Sequence, residues 1–130
     1  MKASNFLYYK NWAVAGNVST EGKYAFKILN SLKNSGFNVV GINPKNITES
    51  DFEYMKKTLS NVHVLDLCIN PGRGIDIVKA ARVAGVDKVL VQPGAESREI
   101  LDFCNDNGMD VICGCALVEL SKRYGNQSIV

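Results

Sequence analysis

Two rhythms of apolar residues run along the chain. Short, nearly continuous apolar runs at Trp12–Gly16, Asn38–Ile42, Val64–Ile69, Lys88–Gln92 and Asp110–Cys113 predict buried strands. Between them the spacing changes to that of helices with one buried face. Ala25, Ile28, Leu29 and Leu32 recur at i, i+3, i+4, i+7 within Lys23–Ser35. Ile77, Ala80, Ala81 and Ala84 do the same from about Gly74 to Ala84, as do Ile100, Phe103 and Cys104 within Ser97–Asn107. The polar stretch 46–61 carries Phe52, Met55 and Leu59, enough for one short helix on a sheet edge. Residues 1–11 hold Phe6, Leu7, Tyr8 and Tyr9 and predict a short helix or an extended arm against that sheet. Beyond about Ser121 the chain turns polar and is expected to fray.

The joints repeat. Gly36-Phe37-Asn38, Gly85-Val86-Asp87 and Gly108-Met109-Asp110 each read as a helix-capping glycine, an apolar residue packing the corner and a polar residue opening the next strand. Strands alternating with helices through short connections imply a parallel sheet covered on both faces. The predicted architecture is an α/β, three-layer, Rossmann-like doubly wound sheet of about five strands in the order 3-2-1-4-5, spanning residues 1–130 as a single domain.

In such a sheet ligands sit beyond the carboxyl ends of the strands. The first of these ends is the most informative. Trp12–Gly16 gives way to the polar loop Asn17–Gly22, with Ser19 and Thr20, and Lys23 opens the first helix. Strand, glycine, polar loop and helix bring free backbone N–H groups and a positive helix end to a phosphate. Neither common fingerprint fits. Gly16 is followed by Asn17-Val18, so the second glycine of G-x-G-x-x-G is missing. Five residues, not four, separate Gly16 from Gly22-Lys23, and Tyr24 follows. The competing reading is a strand-to-helix turn that binds nothing.

The other strand ends are Asn43-Pro44-Lys45, Asn70-Pro71-Gly72, Pro93-Gly94-Ala95 and Gly114-Cys115, rich in Pro, Gly and Asn and almost free of acids. NAD sites usually place an acid at the end of the second strand to bind ribose hydroxyls. Lys45 stands near that position instead and suits an extra phosphate, so NADP or coenzyme A fits better; the plain alternative is a solvated turn lysine. Catalytic groups are scarce. His63, the only histidine, precedes the third strand, at the wrong end. Asp66 lies mid-strand and reads as architectural. Glu96 and Glu119 fall near the ligand face. A Ser-His-Asp set or a cysteine with a neighbouring base cannot be assembled from these positions.

Composition narrows the classes further. With 46% hydrophobic and 22% charged residues the chain reads as a globular domain, and its net charge of +2, spread along the sequence, argues against nucleic-acid binding. Apolar runs are too short for a membrane span, and the N-terminus lacks a signal-peptide core, so a cytoplasmic location is expected. Cys68, Cys104 and Cys113 sit among apolar residues, and the four cysteines are expected to be reduced and buried, without bound metal, since Cys113-x-Cys115 offers too few ligands for zinc.

The motifs together resemble a family. Ala13-Val14-Ala15-Gly16 with Lys23-Tyr24, Val40-Gly41-Ile42-Asn43-Pro44, Asp66-Leu67-Cys68-Ile69-Asn70-Pro71, Gln92-Pro93-Gly94 and the Cys115-x-x-x-Glu119 feature resemble the small stand-alone CoA-binding proteins. Their domain is similar to the CoA-binding domain of the succinyl-CoA synthetase alpha subunit. The resemblance covers roughly residues 5–120. It implies coenzyme A or an acyl-CoA as ligand, with the loop Gly16, Asn17, Val18 and Ser19 at the pyrophosphate. It also implies Lys23 and Lys45 at phosphates, Asn43 and Pro44 beside them, and Asn70, Pro71, Pro93 and Gly94 lining the groove. Members often carry Ala-Ser after the glycine; here Asn17-Val18 removes that hydroxyl, and Ser19 or Thr20 is left to supply it. The synthetases' phosphorylated histidine belongs to a further domain, so ligase activity is not carried over.

The leading expectation is a cytosolic binding module for coenzyme A or an acyl-CoA, without catalytic residues of its own. The alternatives are a nicotinamide-nucleotide (NADP-type) enzyme or redox sensor of the same fold, and a non-binding interaction subunit. The expected partner is a small CoA-type molecule, with neither nucleic acid nor membrane; a homodimer or a protein partner stays open.

Overall fold

The computed structural model describes residues 1–43 and 48–125. Pro44 and Lys45, both expected at the ligand, lie outside the described residues. A 3-10 helix at Ala3–Tyr8 precedes five strands and five helices: β1 (Asn11–Gly16), α1 (Tyr24–Asn34), β2 (Asn38–Ile42), α2 (Glu49–Thr58), β3 (Val64–Cys68), α3 (Pro71–Ala84), β4 (Lys88–Val91), α4 (Arg98–Asp106), β5 (Asp110–Cys113) and α5 (Ala116–Tyr124).

The apolar runs become one parallel sheet, as the pattern implies, but its order is β2-β1-β3-β4-β5. The fold class is the expected doubly wound α/β sheet; the expected order 3-2-1-4-5 misplaces the third strand, which pairs with β1 rather than lying outside β2. Burial gives the physical reason. Val64 to Leu67 are completely buried, as an interior strand requires, whereas β2 exposes Asn38 and only half-buries Val39, Val40 and Gly41, as an edge strand does. The connection from β2 to β3 therefore passes over β1 on the face opposite α1, which is how a right-handed crossover in the reverse direction must run.

Each face of the sheet has its own core. One is built from Ala13, Ala15, Leu65, Leu67, Val89 and Val91 beneath α2, α3 and α4, with Met55, Ile77, Ala81 and Ile100 pointing down from the helices. The other takes the alternate strand residues Trp12, Val14, Val64 and Leu90 against Ile28 and Leu32 of α1, Leu120 of α5, and Phe6 and Leu7 of the 3-10 helix. Phe6 and Leu7 are therefore core residues on a face, not an arm at the edge.

The three glycine joints behave as their sequence suggests. At each, the residue after the glycine returns its N–H to a carbonyl five residues back: Phe37 to Leu32, Val86 to Ala81 and Met109 to Cys104, at 2.9–3.0 Å. The glycines hold positive φ, and the apolar residues are buried, which is the Schellman closure with its hydrophobic contact. Two helix boundaries differ from expectation. Pro71 takes the first turn of α3 behind the capping Asn70, whose Oδ1 accepts from the Gly72 N–H at 2.8 Å, so α3 starts three residues earlier than Gly74. Helix α5 carries the chain through Tyr124, past the position where fraying was expected, because Ala116 and Leu120 are buried one turn apart.

Candidate functional site at the carboxyl edge

The order reverses between β1 and β3, so the crevice opens at Gly16 and Cys68, which are register partners. The two backbones meet closely there. A Cβ on Gly16 would run into the Cys68 carbonyl oxygen and stand 2.9 Å from the Ala25 Cβ, at a φ of +154°. Only glycine fits, and the chain turns at once into the loop. Asn17 shapes that loop by accepting the Thr20 N–H on its Oδ1 at 3.2 Å, and Lys23 donates its N–H to the Thr20 carbonyl.

The loop delivers α1 with its first turn open. Lys23 is the N-cap residue, its side chain makes no capping hydrogen bond, and the first helical bond is made by the Lys27 N–H. The amides of Tyr24, Ala25 and Phe26 thus lack intrahelical acceptors. By contrast Thr48, Asn70 and Ser97 cap α2, α3 and α4 with side-chain oxygens, and the first amide of α5, on Ala116, is taken by the buried Gln92 side chain at 2.9 Å. Among the described helices, α1 presents the open positive end beside the crevice.

Lys23 and Ser19 are exposed at this loop, as is Asn43 beyond the end of β2, the strand that pairs with β1. Val18 does something else. A Cβ on Gly41 would lie 2.7 Å from its Cγ2, so Val18 packs over β2, and its N–H is engaged by the Gly16 carbonyl at 2.9 Å. The revised strand order puts β3, with Asn70 two residues beyond the Cys68 partner of Gly16, beside β1 and moves Pro93-Gly94 one strand further out. These residues still line one wall: Cys68, Ile69, Asn70, Gln92, Pro93 and Gly94 surround a hollow of roughly 270 Å³. A second hollow of roughly 220 Å³ joins it across Cys68, Gln92 and Pro93 and extends to Tyr24 and Cys115. Pro71 belongs to the first turn of α3, and Gly94 donates its N–H to Glu96 at 2.7 Å.

Three residues that the sequence motifs contain without an assigned role take part in the site. Gln92 is buried and ties β4 to α5, Tyr24 walls the smaller hollow, and Cys115 faces that hollow from the start of α5. The expectation of four buried cysteines also needs correction. Cys104 is buried, Cys68 and Cys115 are half-buried, and Cys113 is exposed because β5 is an edge strand. His63 stays at the far end of the sheet, where its Nδ1 accepts from the Asn11 N–H at 3.4 Å. Glu119 turns toward a different groove of roughly 710 Å³, lined by Lys2, Tyr8, Lys122 and Arg123, and pairs with Lys122 at 3.7 Å.

Electrostatics beneath the crevice are unusual. Asp66 is fully buried in β3, and neither carboxylate oxygen has a hydrogen-bond partner among the described residues. Burial pushes its carboxyl well above the usual range, so it holds its proton. Two residues further along the same sheet face, the Cys68 thiol is pushed up to about 11 by burial, then by Asp66 and Cys115.

A doubly wound sheet with a glycine turn and an open helix end at its switch point defines the Rossmann-like α/β class of domain, with an end suited to an anionic group. The chain belongs to the family described as CoA binding domain, whose profile matches residues 10–121. No match was found among curated proteins. Among solved structures, a conserved hypothetical protein from Pyrococcus furiosus is 26% identical, with 85% of this chain and 99% of that one covered at a TM-score of 0.67. Prb, described as the PH1109 protein redesigned for binding, is 19% identical, covers 94% and 89%, and has a TM-score of 0.77. A hypothetical protein from Pyrococcus horikoshii OT3, also 19% identical, covers 92% and 87% at 0.73. The last two likenesses speak to the fold alone.

Proposed function

We propose that this chain binds coenzyme A or an acyl-CoA along the carboxyl edge of the sheet, as a cytoplasmic binding module without catalysis of its own. The observation that carries the reading is the juncture at Gly16, where β1 and β3 come too close for a side chain and α1 opens uncapped. A pyrophosphate set there accepts the amides of the first turn of α1 and the field of its positive end. Lys23 adds a cation, the adenosine half runs toward Asn43, Pro44 and Lys45, and the pantetheine arm runs the other way, over Asn70, Pro93 and Gly94. The family match supports the choice of ligand. The noncatalytic part of the reading is supported by the engagement of Glu96 with the Gly94 amide and by the placement of His63 at the opposite end.

Thermal shift with CoA, acetyl-CoA, NAD, NADPH and ATP tests this, because only a ligand that prefers the folded state raises its stability. Stabilisation by CoA or acetyl-CoA is expected. Stabilisation by NADPH alone would indicate the nicotinamide reading, and no shift with any of them an interaction subunit.

A further inference from the structure

The groove of roughly 710 Å³ between the 3-10 helix and α5 is larger than either hollow of the crevice, and the Gly16 loop takes no part in it. One wall carries Lys2 and Tyr8 over the buried Leu7. The other carries Glu119, Lys122 and Arg123, which share one face of α5 at i, i+3 and i+4.

Arg123 is the unusual member. Its guanidinium lies 5.1 Å from the centre of the Tyr8 ring and 5.6 Å from that of Tyr124, so two aromatic side chains orient the planar fork. Among the described residues no carboxylate forms an ion pair with it. Glu119, whose side chain is 15% exposed, reaches Lys122 instead, at 3.7 Å. Lys2, Lys122 and Arg123 against Glu119 leave the groove with two uncompensated positive charges. An oriented guanidinium without an anion is a receptor for a phosphate, which it can grip with two parallel hydrogen bonds. A phosphate monoester, with a charge of about −1.5 to −2 near neutral pH, matches the excess.

Size decides between a phosphopeptide and a small molecule. The 3-10 helix has six residues and is therefore about 12 Å long. An extended peptide, at about 3.3 Å per residue, would lay only about four residues along it. The groove's roughly 710 Å³ falls instead within the span of small-molecule sites, about 300–1,000 Å³. The remaining groups fit a nucleoside. Tyr8 is 71% exposed and offers ring surface to a base. Glu119 stands about 6 Å of helix rise from Arg123, the order of the span from a 5′-phosphate to the ribose hydroxyls. A carboxylate in that place accepts hydrogen bonds from those hydroxyls, as acids do in dinucleotide sites.

We propose that the groove between the 3-10 helix and α5 binds a nucleoside 5′-monophosphate. Arg123 and Lys122 hold the phosphate, Glu119 the ribose and Tyr8 the base, while Lys2 adds a cation from the facing wall. The site is separate from the crevice and stands whether or not coenzyme A binds there.

Guanosine 5′-monophosphate is the probe, because coenzyme A itself carries adenine. Backbone amide shifts of the full chain locate its binding, and calorimetry gives its affinity. Saturable changes are expected at residues 2–8 and 117–124, with none at 17–25. Arg123→Ala should weaken binding about ten-fold or more. Arg123→Lys should fail to restore it, since an ammonium lacks the planar fork. Lys79→Ala removes the same charge from α3, on the opposite face of the sheet, and should leave binding unchanged. Inorganic phosphate and guanosine should each bind at least ten-fold more weakly than the nucleotide. Saturable changes at residues 17–25 instead, no saturable change, or unaltered affinity in a folded Arg123→Ala protein would overturn the proposal. So would inorganic phosphate binding as tightly as the nucleotide, which would make the groove an anion patch without a nucleoside site.

Discussion

Asp66→Asn isolates the most costly feature of the core. Asp66 sits between Val14 and Leu90 in the sheet register, fully buried, with both carboxylate oxygens unpartnered among the described residues. An ionised, unpaired carboxylate there would cost several kcal/mol, so the folded protein keeps the proton while the unfolded chain releases it near the ordinary value of about 3.9. The folded state therefore binds more protons than the unfolded state above that value. Stability must fall as pH rises, by up to about 1.4 kcal/mol per pH unit, until the raised folded value is passed. Other shifted groups act outside the window from pH 5 to 7. The exposed Asp51 is lowered by its Thr48 bonds and acts in acid, while Cys68 and Cys104, raised to about 11, and Lys88, raised by Asp87, act in alkali. Between pH 5 and 7 the Asp66 contribution reaches about 2.7 kcal/mol at most. Asn has nearly the same shape and no proton to lose, so the stability of Asp66→Asn relative to wild type should climb across that window. Urea unfolding at several pH values reads this directly. Parallel profiles for the two proteins would refute the buried, protonated carboxyl.

Gly16→Ala should destabilise the fold by about 1–3 kcal/mol in urea unfolding, because the new methyl has no room between the Cys68 carbonyl and Ala25; an unchanged midpoint would contradict the close approach of β1 and β3. Lys23→Ala should weaken CoA about two- to five-fold by calorimetry, from a loss of about 0.3–1 kcal/mol at the helix end. Lys27→Ala should do less, since Lys27 lies one turn on with its ammonium 5.5 Å from the Tyr24 ring centre; equal losses would remove Lys23 from the site. From the sequence, Lys45→Ala should shrink a roughly ten-fold preference for CoA over dephospho-CoA while leaving dephospho-CoA binding nearly unchanged; equal wild-type affinities for both ligands would make Lys45 a plain turn lysine.

Elements were legible where a local signal existed. The spacing of Ala25, Ile28, Leu29 and Leu32 marked α1, and the Gly-apolar-polar joints marked three helix ends with their buried corners. Strand order was not legible in the same way. An apolar run such as Val64–Ile69 says that a strand is buried, not which strands flank it, and β2 reads almost as apolar as β3. Helix α5 escaped although Ala116, Leu117, Leu120 and Tyr124 share its packed face, because Ser121, Lys122 and Arg123 make the stretch read as a polar end. At the site, Gly16 stood out as the break between strand and loop. The inward turn of Val18 onto Gly41 and the Gln92–Ala116 bond could not, since each joins elements far apart in sequence.

The most direct test of the account follows backbone amide shifts of the reduced protein as CoA is added. A nucleotide on the Gly16 loop predicts the largest saturable changes at residues 17–25, with a second group at Cys68, Ile69, Asn70, Gln92 and Gly94. Changes confined to the groove of Lys2, Tyr8, Lys122 and Arg123, or no saturable change anywhere, would contradict it.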